Sequence, residues 1–155
     1  ACGAFHSVAL RNDGTVATWG DHSCGERRNA PTYGGFVAIA CGNRHSVALH
    51  SDGTVLTWGR ERQDAPTSYG FVAIACGAFH SVALRNDGTV ATWGDHSCGE
   101  RRNAPTYGGF VAIACGNRHS VALHSDGTVL TWGRERQDAP TSYGFVAIAC
   151  GAFHS

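Results

Sequence analysis

Residues 1–74 recur without a single change as residues 75–148, and 149–155 (ACGAFHS) open the same text a third time. Whatever packs one copy must also pack the next. The chain therefore has to be a set of like units that stack on one another, rather than a fold with one centre of its own. Each copy is itself two variants of one motif, ACGAFHSVALRNDGTVATWG (1–20) and ACGNRHSVALHSDGTVLTWG (40–59). The variants differ only at Ala4/Asn43, Phe5/Arg44, Arg11/His50, Asn12/Ser51 and Ala17/Leu56. Linkers of unequal length follow them, DHSCGERRNAPTYGGFVAI (21–39) and RERQDAPTSYGFVAI (60–74). The expected blade-like units are 1–39, 40–74, 75–113 and 114–148, with 149–155 starting a further one. Identity this complete points to recent duplication, gene homogenisation, design or a periodic assembly.

Each unit reads as three strands. FVAIACG (36–42) alternates apolar residues on both faces, the pattern of a strand sandwiched between layers. HSVALRNDGTVATWG (6–20) reads as a hairpin whose turn falls at Asp13-Gly14, where glycine accepts the positive φ of a tight turn. The companion turns fall at Asp52-Gly53, Asp87-Gly88 and Asp126-Gly127. Val, Thr and Trp fill the flanking strands, and Pro31 and Pro66 stop further pairing in the linkers. No helical period appears. A three-stranded sheet with two apolar faces cannot stand alone. The expected fold is all-β: tandem propeller-type blades of about three antiparallel strands.

These residues resemble the repeat of the regulator of chromosome condensation family, C-G-x-x-H-[ST]-x-A-L-x-x-D-G-x-[VL]-x-[TS]-W-G. The short units are similar to the three-stranded blades of the propeller-fold β-lactamase inhibitor protein. The resemblance implies a propeller. It implies no single function, since the family holds exchange factors, ubiquitin-ligase modules, a light receptor and enzyme inhibitors. Its members usually close seven blades, which a strict long–short alternation does not fit. The sequence also opens without the FVAI half of its first strand and closes with a spare one at 145–148. The expectation is an open or oligomeric array.

The chemistry-bearing residues form no active-site constellation. Cys-Gly-x-x-His places Cys2, Cys41, Cys76, Cys115 and Cys150 four residues before a histidine, including His6, His45, His80 and His119. Two ligands do not close a metal site, so the expected role is packing and no cofactor is expected. Cys24 and Cys98 sit in the long linkers, and all seven cysteines are candidates for a disulfide or cross-link if the protein is exported. Adjacent His and Ser point to opposite faces of a strand, which argues against a nucleophile and base. Trp19, Trp58, Trp93 and Trp132 are expected to pack between blades.

Twelve acids balance twelve basic residues, all of them Arg, and the formal net charge is zero. That lacks the basic excess of a nucleic-acid binder, and Glu26-Arg27-Arg28 and Arg60-Glu61-Arg62 mix signs. The absence of Lys excludes a lysine Schiff base or a phosphate-loop lysine within these residues. Met is absent as well, as expected of a processed or partial product. No apolar run is long enough for a helical membrane span. The reading is a non-enzymatic structural repeat protein whose partner is itself, in a homo-oligomer or filament, which favours an extracellular or cell-surface place. The alternative is a protein-binding module that meets its partner at the linkers 21–35 and 95–109.

Overall fold

The computed structural model describes residues 1–20, 29–60, 64–95, 103–134 and 139–151. Eleven strands follow one another: β1 (His6–Leu10), β2 (Val16–Gly20), β3 (Phe36–Cys41), β4 (His45–His50), β5 (Val55–Gly59), β6 (Phe71–Cys76), β7 (His80–Arg85), β8 (Val90–Gly94), β9 (Phe110–Cys115), β10 (His119–His124) and β11 (Val129–Gly133). They form four small antiparallel sheets, β1-β2, β3-β4-β5, β6-β7-β8 and β9-β10-β11. These are the blades, and the first has two strands where the others have three.

The hairpins form because their turns are locally determined. Gly14 takes φ 79°, a conformation that L side chains rarely adopt. Asp13 Oδ1 accepts from the Thr15 N–H at 2.9 Å and from its hydroxyl at 2.6 Å. Asp52, Asp87 and Asp126 repeat this clamp on Thr54, Thr89 and Thr128. These hydrogen bonds hold all four exposed carboxyls below the usual range.

Alternation then decides which side of each blade meets which neighbour. His6, Val8 and Leu10 lie on one face of β1, Ser7 and Ala9 on the other. Val8, Val16 and Leu10 of the first blade pack against Phe36, Ile39, Ala48, Leu56 and Trp58 of the second. The same cluster recurs between the second and third blades around Trp93, and between the third and fourth around Trp132. The core is thus a series of like layers between blades. Each fully buried large side chain contributes about 2–3 kcal/mol to a layer.

The inner strand departs from the expected two-sided burial. The pairing of β3 with β4 shifts register between Phe36 and Ala38, so Val37 is the extra residue of a β-bulge. Val37 is 56 % exposed, and Val72 and Val111 repeat it. The bulge brings Phe36 into the core and leaves the valine outside.

Among the described residues the first blade is less covered than the inner ones. Trp58, Trp93 and Trp132 are 1–2 % exposed, whereas Trp19, with no blade before it among the described residues, is 53 % exposed. Residues 145–150 repeat the FVAIAC of β3, β6 and β9 but belong to none of the sheets. Val146 there is 91 % exposed.

Candidate interaction face and axial cavity

Each inner strand ends at its cysteine, and the Cys-Gly-x-x-His turn carries the chain into the middle strand. The glycine is required by space rather than by φ. A Cβ built on Gly42 would lie against the His45 ring and 2.6 Å from the carbonyl oxygen of Gly77 on the next blade. A Cβ on Gly77 would lie against His80 and 2.7 Å from the Gly116 oxygen, and one on Gly116 against His119 and 2.6 Å from the Gly151 oxygen. The imidazole folds over its own glycine while the next blade's backbone closes on the same spot.

From there the imidazole reaches the next blade. Nε2 of His6, His45 and His80 meets the Oγ of Ser46, Ser81 and Ser120 at 2.7, 2.9 and 2.8 Å. The three serines also touch the cysteines of their own blades, Cys41, Cys76 and Cys115, at 3.7–3.8 Å. Each boundary therefore carries a His–Ser–Cys seam. Burial, reinforced by the charges of His80 and His6, pulls His45 down to about 4. Burial and then the charge of His119 pull His80 to about 4, while Asp95 opposes the shift. At neutral pH both rings are neutral hydrogen-bonding groups.

The thiols converge on a cavity of about 350 Å³ at the axis of the array, lined by Cys2, Cys41, Cys76, Cys115 and Cys150 with the residues that follow them. The backbone of one turn bonds the next around it: Asn43 N–H to Ala78 C=O at 3.0 Å, and Ala78 N–H to Asn117 C=O at 2.9 Å. Burial pushes the Cys115 thiol up to about 12 and Cys150 to about 11, and raises Cys41 and Cys76 as well. These are protonated packing thiols rather than poised nucleophiles. All five are free, so the structure gives none of them the expected disulfide; Cys24 and Cys98 lie outside the described residues. Among the described residues no three His, Cys, Asp or Glu side chains gather to hold a metal ion. The Ser46–His6 pair has the spacing of a nucleophile and base, but both side chains are sealed between blades, at 0 % and 3 % exposure.

The two ends of the blades differ from this constant interior. Four of the half-repeat differences, Ala4/Asn43, Phe5/Arg44, Arg11/His50 and Asn12/Ser51, fall outside the strands or at their last residue. The first two occupy the Cys-Gly-x-x-His turns and make one end an alternating row of Phe5, Arg44, Phe79 and Arg118. The Arg44 guanidinium stands over the Phe5 ring at 4.6 Å, and Arg118 over Phe79 at 5.1 Å. The Arg60 N–H donates to the Arg44 carbonyl at 3.0 Å, which sets a second arginine beside the first. A second cavity, of about 330 Å³, opens there between Phe5, Arg44, Arg60 and Phe79.

The other end carries the aspartate turns. His50 Nδ1 lies 3.0 Å from Asp52 Oδ1, and Phe36 stands edge-on to the His50 ring with Tyr33 alongside. Arg85 covers Phe71 at 4.7 Å and donates to Ser68 at 3.1 Å. Most of the expected linker contacts, including Glu26-Arg27-Arg28 and Glu61-Arg62, lie outside the described residues.

The family model for the Regulator of chromosome condensation (RCC1) repeat matches residues 1–26, 36–63, 71–100 and 110–137. No curated protein sequence matches the chain. Among solved structures, the "CRINKLY WD40 ectodomain" of the Arabidopsis thaliana receptor kinase ACR4 is similar, at TM-score 0.78 and 25% identity, over 97% of this chain and 54% of that one. The ectodomain of the Physcomitrella patens receptor kinase CR4 matches at TM-score 0.79 and 25% identity, over 97% of this chain and 46% of its own. Yeast RCC1 (Prp20), solved bound to Kap60, shares the fold at TM-score 0.67 and 22% identity, over 84% of this chain and 42% of that one. The chain thus spans about half the length of the ectodomains it matches.

Proposed function

The chain belongs to the RCC1 repeat family, and from that premise we propose that it is a non-catalytic protein-binding module that uses the Phe5–Arg44–Phe79–Arg118 end of the array. The carrying observation is where the half-repeats differ. The seam is the same in every blade, while the turns at its end exchange small-plus-Phe for Asn-plus-Arg. Stacked Phe and Arg are side chains that anchor protein interfaces. Sealed serines, protonated thiols and neutral imidazoles supply no reacting group to this surface. Yeast RCC1 (Prp20) was solved in complex with a protein, Kap60, which agrees with a binding role; the face itself carries the reading.

The test is a selection of random displayed peptides on the chain, with the variant Phe5→Ala/Arg44→Ala/Phe79→Ala/Arg118→Ala as counter-target. Enriched peptides are expected to bind the variant at least about ten-fold more weakly, a loss of about 1.4 kcal/mol. Peptides that bind both proteins equally would refute the reading.

Self-association is a second reading, supported by the bare segment 145–150. It repeats the apolar sequence of β3, β6 and β9 outside any sheet, with Val146 91 % exposed. A second copy that pairs with this segment would cover its backbone and Val146; repeated, such pairing builds a filament. Sedimentation then shows oligomers that Val146→Lys diminishes. A monomer at tens of micromolar, or oligomers indifferent to that substitution, would contradict it.

A further inference from the structure

We propose that the cavity between the first three blades at the Phe–Arg end is a docking site for an acidic peptide segment: a carboxylate side chain held by Arg44 and Arg60, with an apolar neighbour against Phe5 and Phe79. The inference rests on the reading of this end as the binding face and names the partner's chemistry.

The volume, about 330 Å³, suits a few side chains rather than a folded surface. Its described walls combine two arginines, two phenylalanines, Asn43, His45 and Ala78, and include no carboxylate. Asp95 holds the place on the third blade that Arg60 holds on the second, its N–H bonded to the Phe79 carbonyl at 2.9 Å, so the local sign changes one blade away. The same arginine pair recurs on the fourth blade, where the Arg134 N–H donates to the Arg118 carbonyl at 3.0 Å, so paired arginines alternate with the Asp95 edge in a chain whose formal net charge is zero.

Each cation is placed by something other than a ligand. Arg44 is stacked over Phe5 at 4.6 Å, and stacking holds a guanidinium plane whose in-plane donors match the two oxygens of a carboxylate. The Arg60 backbone is tied to the Arg44 carbonyl, so the two charges share one edge of the cavity. Phe5 is 47 % exposed, an aromatic surface beside the cations. Polyanions are a poorer fit than peptides. The arginine pairs are interrupted by Asp95 rather than joined in a basic stripe, and a nucleic acid needs several phosphate contacts to bind.

The experiment uses three labelled twelve-residue peptides of the same design, a leucine followed by two polar residues, with glutamate, glutamine or lysine as the polar residue. Fluorescence anisotropy reads binding to the full chain at low and moderate salt, with an oligothymidylate of similar length as a further probe. The glutamate peptide is expected to bind at least about ten-fold more tightly than the glutamine one, and to weaken as salt screens the arginines. Arg60→Gln, exposed and outside the sheets, is expected to remove about ten-fold of that affinity with an unchanged circular dichroism spectrum. Arg11→Gln, exposed at the aspartate-turn end and outside the sheets, serves as the control and leaves it in place. Equal binding of the glutamate and glutamine peptides, indifference to Arg60→Gln, or tighter binding of the oligonucleotide would overturn the proposal. If face-dependent peptides emerge from the selection but are neutral or basic, the binding reading stands and the acidic docking site falls. If none emerge and the glutamate peptide also fails, both fall.

Discussion

Gly77→Ala is expected to destabilise the chain by about 3 kcal/mol or more, the cost of overpacking a rigid site. The added methyl meets the His80 ring on one side and the Gly116 carbonyl, 2.7 Å away, on the other. Neither yields cheaply. The carbonyl belongs to the backbone of the next blade, and moving the ring breaks the His80–Ser120 hydrogen bond of 2.8 Å. In a domain of this size the loss lowers Tm by about 6–12 °C. Chemical denaturation of Gly77→Ala, His80→Ala and the double variant checks both the size and the cause. The double variant is expected to cost clearly less than the sum of the single ones, because removing the ring removes part of the clash. Additive losses would place the glycine's role elsewhere.

The second large effect is acid sensitivity well above the range where carboxylates titrate. His45 and His80 sit near 4 in the fold against an ordinary 6.5. A depressed histidine binds protons more readily in the unfolded chain, so unfolding takes up protons and acid favours it. Their contribution is complete above about pH 6.5 and is lost as pH falls from there toward 4. A shift of this size is worth about 3 kcal/mol per histidine, and the pair together loses about 5 kcal/mol by pH 4.5. Against a total of about 8–23 kcal/mol for a domain this long, that is a large part of the stability. Urea unfolding at pH 7.5, 6.0, 5.0 and 4.5 reads the slope, expected to be about 2 kcal/mol per pH unit between pH 5 and 6. The aspartate turns do not confuse the result, since their carboxyls are held low and stay ionised across this window.

The elements legible in the sequence were those fixed by local chemistry. Asp13-Gly14 specifies its turn through one glycine φ and one aspartate clamp, both within a few residues. Stacking of small sheets followed from strands too few to bury their own faces. The inner strand was misread at Val37, because apolar alternation alone cannot reveal a bulge that turns one valine to solvent. Among the described cysteines none is paired in a disulfide: Cys41, Cys76 and Cys115 lie beside serines of their own blades, and Cys24 and Cys98 lie outside the described residues.

The seam was half legible. Adjacent His and Ser point to opposite faces, which counted against catalysis. The same fact means that, in a stack of like blades, the histidine side of one blade meets the serine side of the next. His6 and Ser46 are 40 residues apart, so the bond appears only once the stacking order is known. The Phe–Arg face lay in view as the differences between half-repeats. Their meaning required knowing that positions 4 and 5 sit at one end of the blade, beyond the His–Ser–Cys seam.

The recurring Cys-Gly-x-x-His is a sealed boundary between blades, which leaves function to their ends. The most direct measurement is the protonation of His80 in the folded protein, read from its imidazole nitrogen chemical shifts as pH is lowered. The predicted result is a neutral ring at pH 5.5, with protonation arriving only near 4 or together with unfolding. A ring that titrates near 6.5 while the blades remain folded would place this histidine in contact with solvent and contradict the account.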